Sequence, residues 1–263
     1  MRLPASNVWP VVHLGQRPAS GSRPPAHILD DDGAVILLIE DEHVVIDRRA
    51  RSVVFHSWHP LSDHDLVHPY LASPAGVLSQ WLGCVAVHAG GVVVGGRAWG
   101  VLGAKEAGKT TLLAWLASEG HTVLADDLVV ARGGVCFAGP RTLDLRPETA
   151  DRFAAHTDLV SVRNGERSRL LLPTMQSEVP LAGWIVLQEG DHVDLTPVPL
   201  PDRLPLLKSQ LMMGRHNPDA VLDLLPLPMV ALRRPRRWSA LPAAGELLLE
   251  GLADAKSSPG GDS

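Results

Sequence analysis

One stretch of this chain has the residue types and the spacing needed to hold phosphate groups. Residues 103–110 read Gly-Ala-Lys-Glu-Ala-Gly-Lys-Thr and fit the pattern G-x-x-x-x-G-K-[ST]. In such a loop the glycines let backbone N–H groups turn toward phosphate oxygens, Lys109 brings a positive charge to the outer phosphates, and the Thr110 hydroxyl can hold Mg²⁺. The stretch therefore predicts binding of a nucleoside triphosphate together with Mg²⁺. The predicted nucleotide-binding residues are Gly103, Ala104, Lys105, Glu106, Ala107, Gly108, Lys109, Thr110 and Thr111.

The segments around this loop predict how it is positioned. An apolar run at 98–102 predicts a buried strand before the loop, and a helix is expected over 109–119, with its positive N-terminal end toward the phosphates. A second strand at 122–125 ends in Asp126 and Asp127. Strand, helix and strand in this order predict a right-handed crossover with parallel strands, whose carboxyl ends meet at one sheet edge. We therefore expect the aspartate pair to lie beside the loop.

Two kinds of pattern divide the chain. Residues 34–55 alternate short β-branched runs with charged turns, which predicts a β-meander within a small β-rich N-terminal lobe spanning 1–83. Residues 84–256 are predicted to form the nucleotide-binding domain, so the expected fold class is α/β. Segments 15–25 and 257–263 are rich in Pro, Gly and Ser and are predicted to be mobile. Further strands are expected at 85–87, 92–94, 135–138, 142–145, 169–172, 183–187 and 192–196, and further helices at 74–83, 147–155, 202–213, 218–225 and 243–253.

The composition excludes several classes of protein. The 263 residues are 45% hydrophobic and 20% charged, which is typical of a globular protein with a core. The formal net charge of −5 gives no general basic surface for nucleic acid. The chain has no signal-like N-terminal segment and no apolar run long enough for a membrane span. Its only two cysteines, Cys84 and Cys136, suit a reducing compartment, so we expect a cytoplasmic protein that binds neither membrane nor nucleic acid.

Several features around the loop together resemble one known family. The dipeptide His88-Ala89, the Gly-rich loop, and Asp126 and Asp127 one crossover later are similar in order and spacing to the HPr kinase/phosphorylase family, a relative of the phosphoenolpyruvate carboxykinases. The resemblance covers residues 85–131 and implies a P-loop core of that type, with ATP and Mg²⁺ as ligands. A looser resemblance, in segments 71–88, 138–147 and 232–242, is to HPr-kinase-like proteins encoded with peptide natural-product enzymes, including kinases of lasso peptides.

The resemblance also implies roles for the polar residues. Phosphoryl transfer requires neutralised phosphates, a metal ion, and a group that deprotonates the acceptor. Asp126 is then the base facing the acceptor, and Asp127 with Thr110 holds the metal, although the reverse order of the two aspartates stays open. Lys109 neutralises the outer phosphates. His88 is either a site residue beside the γ-phosphate or a core histidine at the end of an apolar run.

Other polar clusters have more than one interpretation. Some arginines flank short strands in the second half of the chain and either bind phosphate or an acidic peptide, or are solvated. These candidate substrate-binding residues are Arg141, Arg167 and Arg169. The four histidines of segment 55–70 invite a metal site, but their irregular spacing and two prolines favour an exposed loop. The arginine cluster at 233–237 is interpreted as a solvated approach to a helix.

Two functions of different classes follow from these observations. The first is an ATP-dependent kinase that phosphorylates a Ser or Thr hydroxyl of a peptide or small protein, such as the precursor of a lasso peptide or another ribosomally made natural product. The second is a nucleotide-binding regulatory or escort protein that transfers no phosphate. A homo-oligomer is compatible with either function. The identity of the acceptor is not encoded in any motif of the chain.

Overall fold

The structure is a computed structural model that describes residues 13–19, 27–38, 41–153, 159–162, 165–212 and 216–254. The predicted mobile tail at 257–263 lies outside the described residues. The strands are β1 (His13–Pro18), β2 (Ile28–Leu29), β3 (Gly33–Leu37), β4 (His43–Asp47), β5 (Ser52–Ser57), β6 (Val85–Val87), β7 (Gly90–Val94), β8 (Arg97–Leu102), β9 (Thr122–Ala125), β10 (Val129–Arg132), β11 (Val135–Phe137), β12 (Thr142–Leu145), β13 (Leu159–Val162), β14 (Arg167–Leu171), β15 (Glu178–Glu189), β16 (Asp194–Pro197) and β17 (Met229–Arg234).

The helices are fewer and mostly short. They are α1 (Asp63–Asp65), α2 (Ala72–Trp81), α3 (Lys109–Ser118), α4 (Pro147–Phe153), α5 (Leu200–Lys208), α6 (Pro218–Leu222) and α7 (Leu241–Asp254), with an irregular helical turn at Leu66–Tyr70 and a 3₁₀ turn at Trp238–Ala240. The mixed α/β class is therefore confirmed. Among the described helices, none has both the length and the apolar composition that crossing a bilayer requires.

An N-terminal sheet of five strands has the order β1-β5-β4-β3-β2. Strands β3, β4 and β5 form the predicted antiparallel meander. Their alternating apolar residues bury Ile36, Ile46 and Phe55 in one cluster with Val77 of α2. The prediction of a mobile segment at 15–25 is wrong for its first part, because β1 pairs in parallel with β5, whereas residues 20–25 lie outside the described residues.

The central sheet has nine strands and carries the predicted chemistry. Its main order is β6-β10-β11-β15-β8-β7-β9, and β17 joins β15 and β16. Strand β7 is antiparallel to both β8 and β9, so β8 and β9 run parallel with β7 between them. The turn from β7 to β8 has only two residues, Gly95 and Gly96, with φ values of 57° and 77°. Such a turn suits glycine because both positions need positive φ.

The parallel direction of β8 and β9 has a direct consequence for the site. The loop after β8 and the aspartates after β9 leave the sheet at the same edge, as predicted from the order of the elements. Helix α3 packs against β7, β9 and α7, with Leu112, Leu113 and Leu116 fully buried. This packing fixes the loop relative to the aspartate pair.

Some predicted elements have different bounds. Strand β15 is much longer than the predicted 183–187 because successive parts of it pair with β11, β8 and β17. Strands β1, β2, β10, β13 and β17 were not predicted. Helices α5 and α6 end earlier than predicted, and α4 ends at Phe153, whereas residues 154, 155 and 213 of these predictions lie outside the described residues. A separate three-stranded sheet, β12-β14-β13, lies next to α4.

The contact between α3 and α7 gives a prediction about stability. A Cβ atom at Gly245 would lie 1.8 Å from Cζ3 of Trp115, whereas one at Gly76 would lie 3.4 Å from Cβ of Met212. Gly→Ala in a helix interior normally stabilises the helix by about 1 kcal/mol. We expect Gly76→Ala to keep or raise the free energy of unfolding, and Gly245→Ala to lower it by about 1–3 kcal/mol through overpacking. Urea denaturation measures both, and equal stability of the two variants would contradict this packing.

Candidate functional site

The Gly103–Thr110 loop connects β8 to α3 and folds tightly around one lysine. Glu106 and Gly108 have left-handed backbones, with φ of 68° and 89°. Lys109 is buried, and its Nζ donates to the carbonyl oxygens of Gly103 at 2.8 Å and Ala104 at 3.3 Å. Burial lowers the pKa of Lys109, against the opposing effect of the nearby aspartates. The loop therefore holds a buried cation at the N-terminal end of a helix.

The two aspartates that follow β9 have different neighbours. The hydroxyl of Thr110 lies 3.1 and 3.2 Å from the two carboxylate oxygens of Asp126. Burial and the charge of Asp127 raise the pKa of Asp126 above its ordinary value. Burial alone would raise the pKa of Asp127 too, but the hydrogen bond and charge of His68 outweigh it and lower that pKa. Asp126 thus faces the loop, and Asp127, with a left-handed φ of 64°, faces a histidine.

The contacts of the two aspartates bear on which of them could hold a metal ion. A metal ion shared with the Thr110 hydroxyl would be held by Asp126, since that is the carboxylate in contact with it. The Asp127 carboxylate contacts His68 instead. The open alternative from the sequence, in which the two aspartates exchange roles, is therefore the one that the geometry favours.

His68 is a site residue that the sequence interpretation missed. Its Nε2 lies 2.8 Å from Oδ2 of Asp127, and its Nδ1 lies 3.3 Å from Oδ2 of Asp144. Burial would lower the pKa of His68, but the two flanking carboxylates raise it to about 9. The interpretation of segment 55–70 as an exposed loop is wrong at His68, because this residue brings the N-terminal part of the chain into contact with the aspartate pair.

Arg169 is enclosed and contacts the Asp144 carboxylate that lies beside His68. It is only 1% exposed, and its Nε and Nη2 lie 2.5 and 2.6 Å from the two carboxylate oxygens of Asp144. Its Nη2 also donates to the carbonyl oxygen of His64 at 3.0 Å. Burial would raise the pKa of Asp144, but Arg169 and His68 lower it to about 2. The prediction that Arg169 binds substrate is therefore wrong, because its guanidinium is enclosed and paired.

The other predicted residues lie in different surroundings. Nδ1 of His88 lies 3.0 Å from the carbonyl oxygen of Asp127, so His88 contacts the backbone of the pair. Arg141 donates to the carbonyl oxygens of Leu124 and Pro173 and so braces the end of β9. Arg167 lines the cleft beside the loop. Substrate contacts of Arg141 and Arg167 stay predictions.

A wide cleft opens over the loop and is surrounded by arginines. Its walls include the loop itself, both aspartates, His68 and His88, with Trp238 and Leu241 at one side. The arginines that line it are Arg146, Arg167, Arg234, Arg236 and Arg237. Arg146 lies 2.7 Å from a carboxylate oxygen of Glu106, and Arg236 donates to the Glu106 carbonyl oxygen at 2.8 Å. These two arginines therefore hold the loop in place as well as giving the cleft its positive charge.

Arg234 differs from the other arginines because it is buried without a partner. It is 7% exposed, and its Nη2 lies 2.4 Å from where a Cβ of Gly108 would be, so only glycine fits there. Its Nε has no hydrogen-bond partner, and no ion pair to it occurs among the described residues. The interpretation of 233–237 as a solvated segment is wrong here: alternation along β17 exposes Arg233 and buries Arg234. A buried guanidinium left unpaired beside this loop indicates an anionic ligand.

The residues present can hold Mg²⁺ only together with a ligand. Among the described residues, no cluster of three or more His, Cys, Asp and Glu side chains could hold a metal ion. The Thr110 hydroxyl and Asp126 carboxylate are neighbouring hard oxygen donors. Mg²⁺ is commonly bound by one or two protein oxygens, water and substrate phosphates. Thr110 and Asp126 therefore fit a Mg²⁺ ion that arrives with a nucleotide.

Comparison with known proteins gives similarity at the level of structure. No protein-family model matches the chain, and no curated protein matches it. Among solved structures, the chain is similar to the HPr(Ser) kinase/phosphatase from Coxiella burnetii, with 11% sequence identity and a TM-score of 0.33. The match covers 65% of this chain and 98% of that chain. A similarity this weak assigns neither a family nor an activity to the chain.

Replacing Arg234 should raise the stability of the free protein and weaken its binding of phosphate ligands. Arg234→Met removes a buried unpaired charge, so we expect the free energy of unfolding of the free protein to rise by about 1 kcal/mol or more. The same change should weaken pyrophosphate and ATP binding about tenfold, because a charge-assisted hydrogen bond is lost. Thermal denaturation and titration calorimetry measure these effects.

The neighbouring arginine on the same strand is the matched control. Arg233 is exposed and donates to Gln188 at 3.0 Å, so Arg233→Met should change neither quantity appreciably. A purely structural Arg234 would give the opposite pattern, with lower stability in Arg234→Met and unchanged phosphate binding.

Proposed function

We propose that this protein binds ATP with Mg²⁺ and transfers the γ-phosphoryl group to a hydroxyl of a peptide or small protein. The proposal rests on one observation, namely that positively and negatively charged side chains line the same cleft. The buried Lys109 and the unpaired Arg234 lie at the loop, and the Asp126–Asp127 pair faces them. Cations beside a helix N-terminus suit a polyphosphate, and carboxylates at the same edge suit a metal ion and an acceptor hydroxyl.

Each residue then has a defined part in binding or chemistry. The loop amides, Lys109 and Arg234 bind the phosphates and balance their charge. Thr110 and Asp126 would hold Mg²⁺, and the bound ion would supply further positive charge at the phosphates. Asp127 orients the acceptor hydroxyl and accepts its proton. Its left-handed backbone is a strained conformation of the kind that persists where the surroundings fix a residue for function.

The transfer itself is a single displacement. The acceptor oxygen forms a bond to the γ-phosphorus while the bond from that phosphorus to the β,γ-bridging oxygen breaks, and ADP leaves. The hydroxyl proton passes to the Asp127 carboxylate. His68, charged and 2.8 Å from that carboxylate, positions Asp127. Asp144 and Arg169 in turn keep His68 oriented, so these three residues act through Asp127.

Replacing Lys109 tests nucleotide binding. Lys109→Met removes the charge at the outer phosphates and keeps an apolar side chain in the buried site, so we expect ATP affinity to fall by about tenfold or more. Lys208→Met is the control, since Lys208 is exposed and does not line the cleft, so its replacement should leave ATP affinity unchanged. Titration calorimetry with ATP and Mg²⁺ measures both. Unchanged ATP affinity in Lys109→Met would exclude the loop as the phosphate site.

Replacing each aspartate separates binding from transfer. Asp127→Asn should keep ATP affinity and reduce phosphoryl transfer by about 10²–10⁴-fold, since it retains the shape and removes the proton acceptor. Asp126→Asn should instead raise the Mg²⁺ concentration needed for ATP binding. Transfer is followed by mass spectrometry of a Ser-containing peptide.

The same pair of variants distinguishes a kinase from an escort protein. An escort protein that binds nucleotide without transferring phosphate would give no phosphopeptide with the wild-type chain. If wild type and Asp127→Asn phosphorylate the peptide at equal rates, Asp127 is not the base, and the roles assigned to the two aspartates fail.

A further inference from the structure

A second pocket lies on the other side of the aspartate pair. It lies between the α2 region and strands β10 and β11 of the central sheet, and none of the residues 103–110 lines it. The residues that line it are Val67, His68, Leu71, Ala72, Ala75, Asp126, Asp127, Leu128, Val130, Phe137, Ala138, Gly139, Pro140, Thr142 and Asp144. We call it the apolar pocket.

The apolar pocket and the nucleotide cleft share one wall. His68, Asp126, Asp127 and Asp144 line both cavities. A molecule in the apolar pocket therefore reaches the aspartates from a side that the loop does not line. In a transfer between two substrates, the acceptor must approach Asp127 from a direction that the nucleotide does not occupy. The apolar pocket provides that direction.

The residues that line the apolar pocket determine which kind of side chain it can bind. Leu71, Ala72 and Ala75 line one side and are only partly buried, whereas Val130 and Phe137 opposite them are core residues. Neither Lys nor Arg lines the pocket. Its polar end carries three carboxylates and one histidine, so an anionic group there would be repelled. The pocket thus fits an uncharged apolar side chain with a hydroxyl beside it.

We infer that the apolar pocket binds a large apolar side chain, such as Leu or Phe, adjacent to the acceptor Ser or Thr of a peptide. This inference rests on the proposed function and narrows its substrate class. Burial of the apolar side chain places the neighbouring hydroxyl at Asp127. An acidic residue at the same position is rejected by the carboxylates, and a glycine leaves the pocket unfilled.

The test compares peptides that differ at one position. Three Ser-containing peptides carry Leu, Gly or Asp next to the serine on both sides and are otherwise identical. We expect kcat/KM for the Leu peptide to exceed that for the Gly peptide by about 10–100-fold, because a buried leucine side chain adds binding free energy of the corresponding size. The Asp peptide should be the poorest of the three. Equal values for Leu and Gly, or a preference for Asp, would overturn the inference.

A variant that fills the pocket provides the second arm. Ala75→Trp should raise the KM of the Leu peptide at least tenfold and leave ATP affinity unchanged. Ser73→Trp is the matched control, because Ser73 is on the same helix and does not line the pocket. Circular dichroism and denaturation establish that both variants are folded. A normal KM for the Leu peptide in folded Ala75→Trp would contradict a role for the pocket.

A measurement of peptide binding without turnover distinguishes failure of the proposed kinase activity from failure of the pocket inference. Calorimetry with the Leu and Gly peptides and a non-hydrolysable ATP analogue measures occupancy of the pocket even if no phosphate moves. Tight binding of the Leu peptide that Ala75→Trp abolishes, without any phosphopeptide, would retain the pocket as a peptide site and reject the kinase. Phosphorylation with no preference among the three peptides would retain the kinase and reject the pocket inference.

Discussion

A chain of alternating charges inside the protein determines how the site is built. Arg169 is enclosed and pairs with Asp144, Asp144 lies beside His68, and His68 contacts Asp127. Arg169 and Asp144 are enclosed, whereas the side chains of His68 and Asp127 are 28% and 31% exposed. Removing either enclosed member would leave the other uncompensated in a low-dielectric interior. The chain joins three parts of the molecule, namely the turn before α2, the small three-stranded sheet and the end of β9. The position of the acceptor-side carboxylate therefore depends on all three.

The nucleotide side of the site follows a different principle. Lys109 is satisfied within its own loop by carbonyl oxygens, whereas Arg234 has no partner among the described residues. The first arrangement keeps the loop folded around a cation before any ligand is present. The second leaves the unfavourable desolvation free energy of the Arg234 guanidinium uncompensated until an anion binds. The charges around Asp127 are thus paired within the protein, whereas Arg234 beside the loop would be paired only when an anionic ligand binds.

Features of the site could be predicted from the sequence when their residues lie close together along the chain. The loop, α3 and the aspartate pair were predicted because one short continuous segment contains the whole pattern. His68 could not be predicted, since its partners Asp127 and Asp144 come from separate elements that meet only in the folded chain. Arg234 could have been found from the apolar run at the start of β17, because alternation along that strand places Arg233 and Arg234 on opposite faces. A similar signal existed for Asp144, a charged residue between two leucines of a predicted strand.

The two-glycine turn between β7 and β8 has a consequence for how the site opens. The hairpin that supports the loop is closed by contacts between near neighbours in sequence, which cost little chain entropy to form. The contact of His68 with Asp127 joins residues that are much farther apart in the sequence, and none of the residues Leu66–Tyr70 around His68 is fully buried. Local unfolding in proteins begins where such contacts are sparse. In the proposed kinase, the wall that the acceptor would touch is therefore expected to loosen while the loop stays folded, so that acceptors would exchange without prior release of the nucleotide.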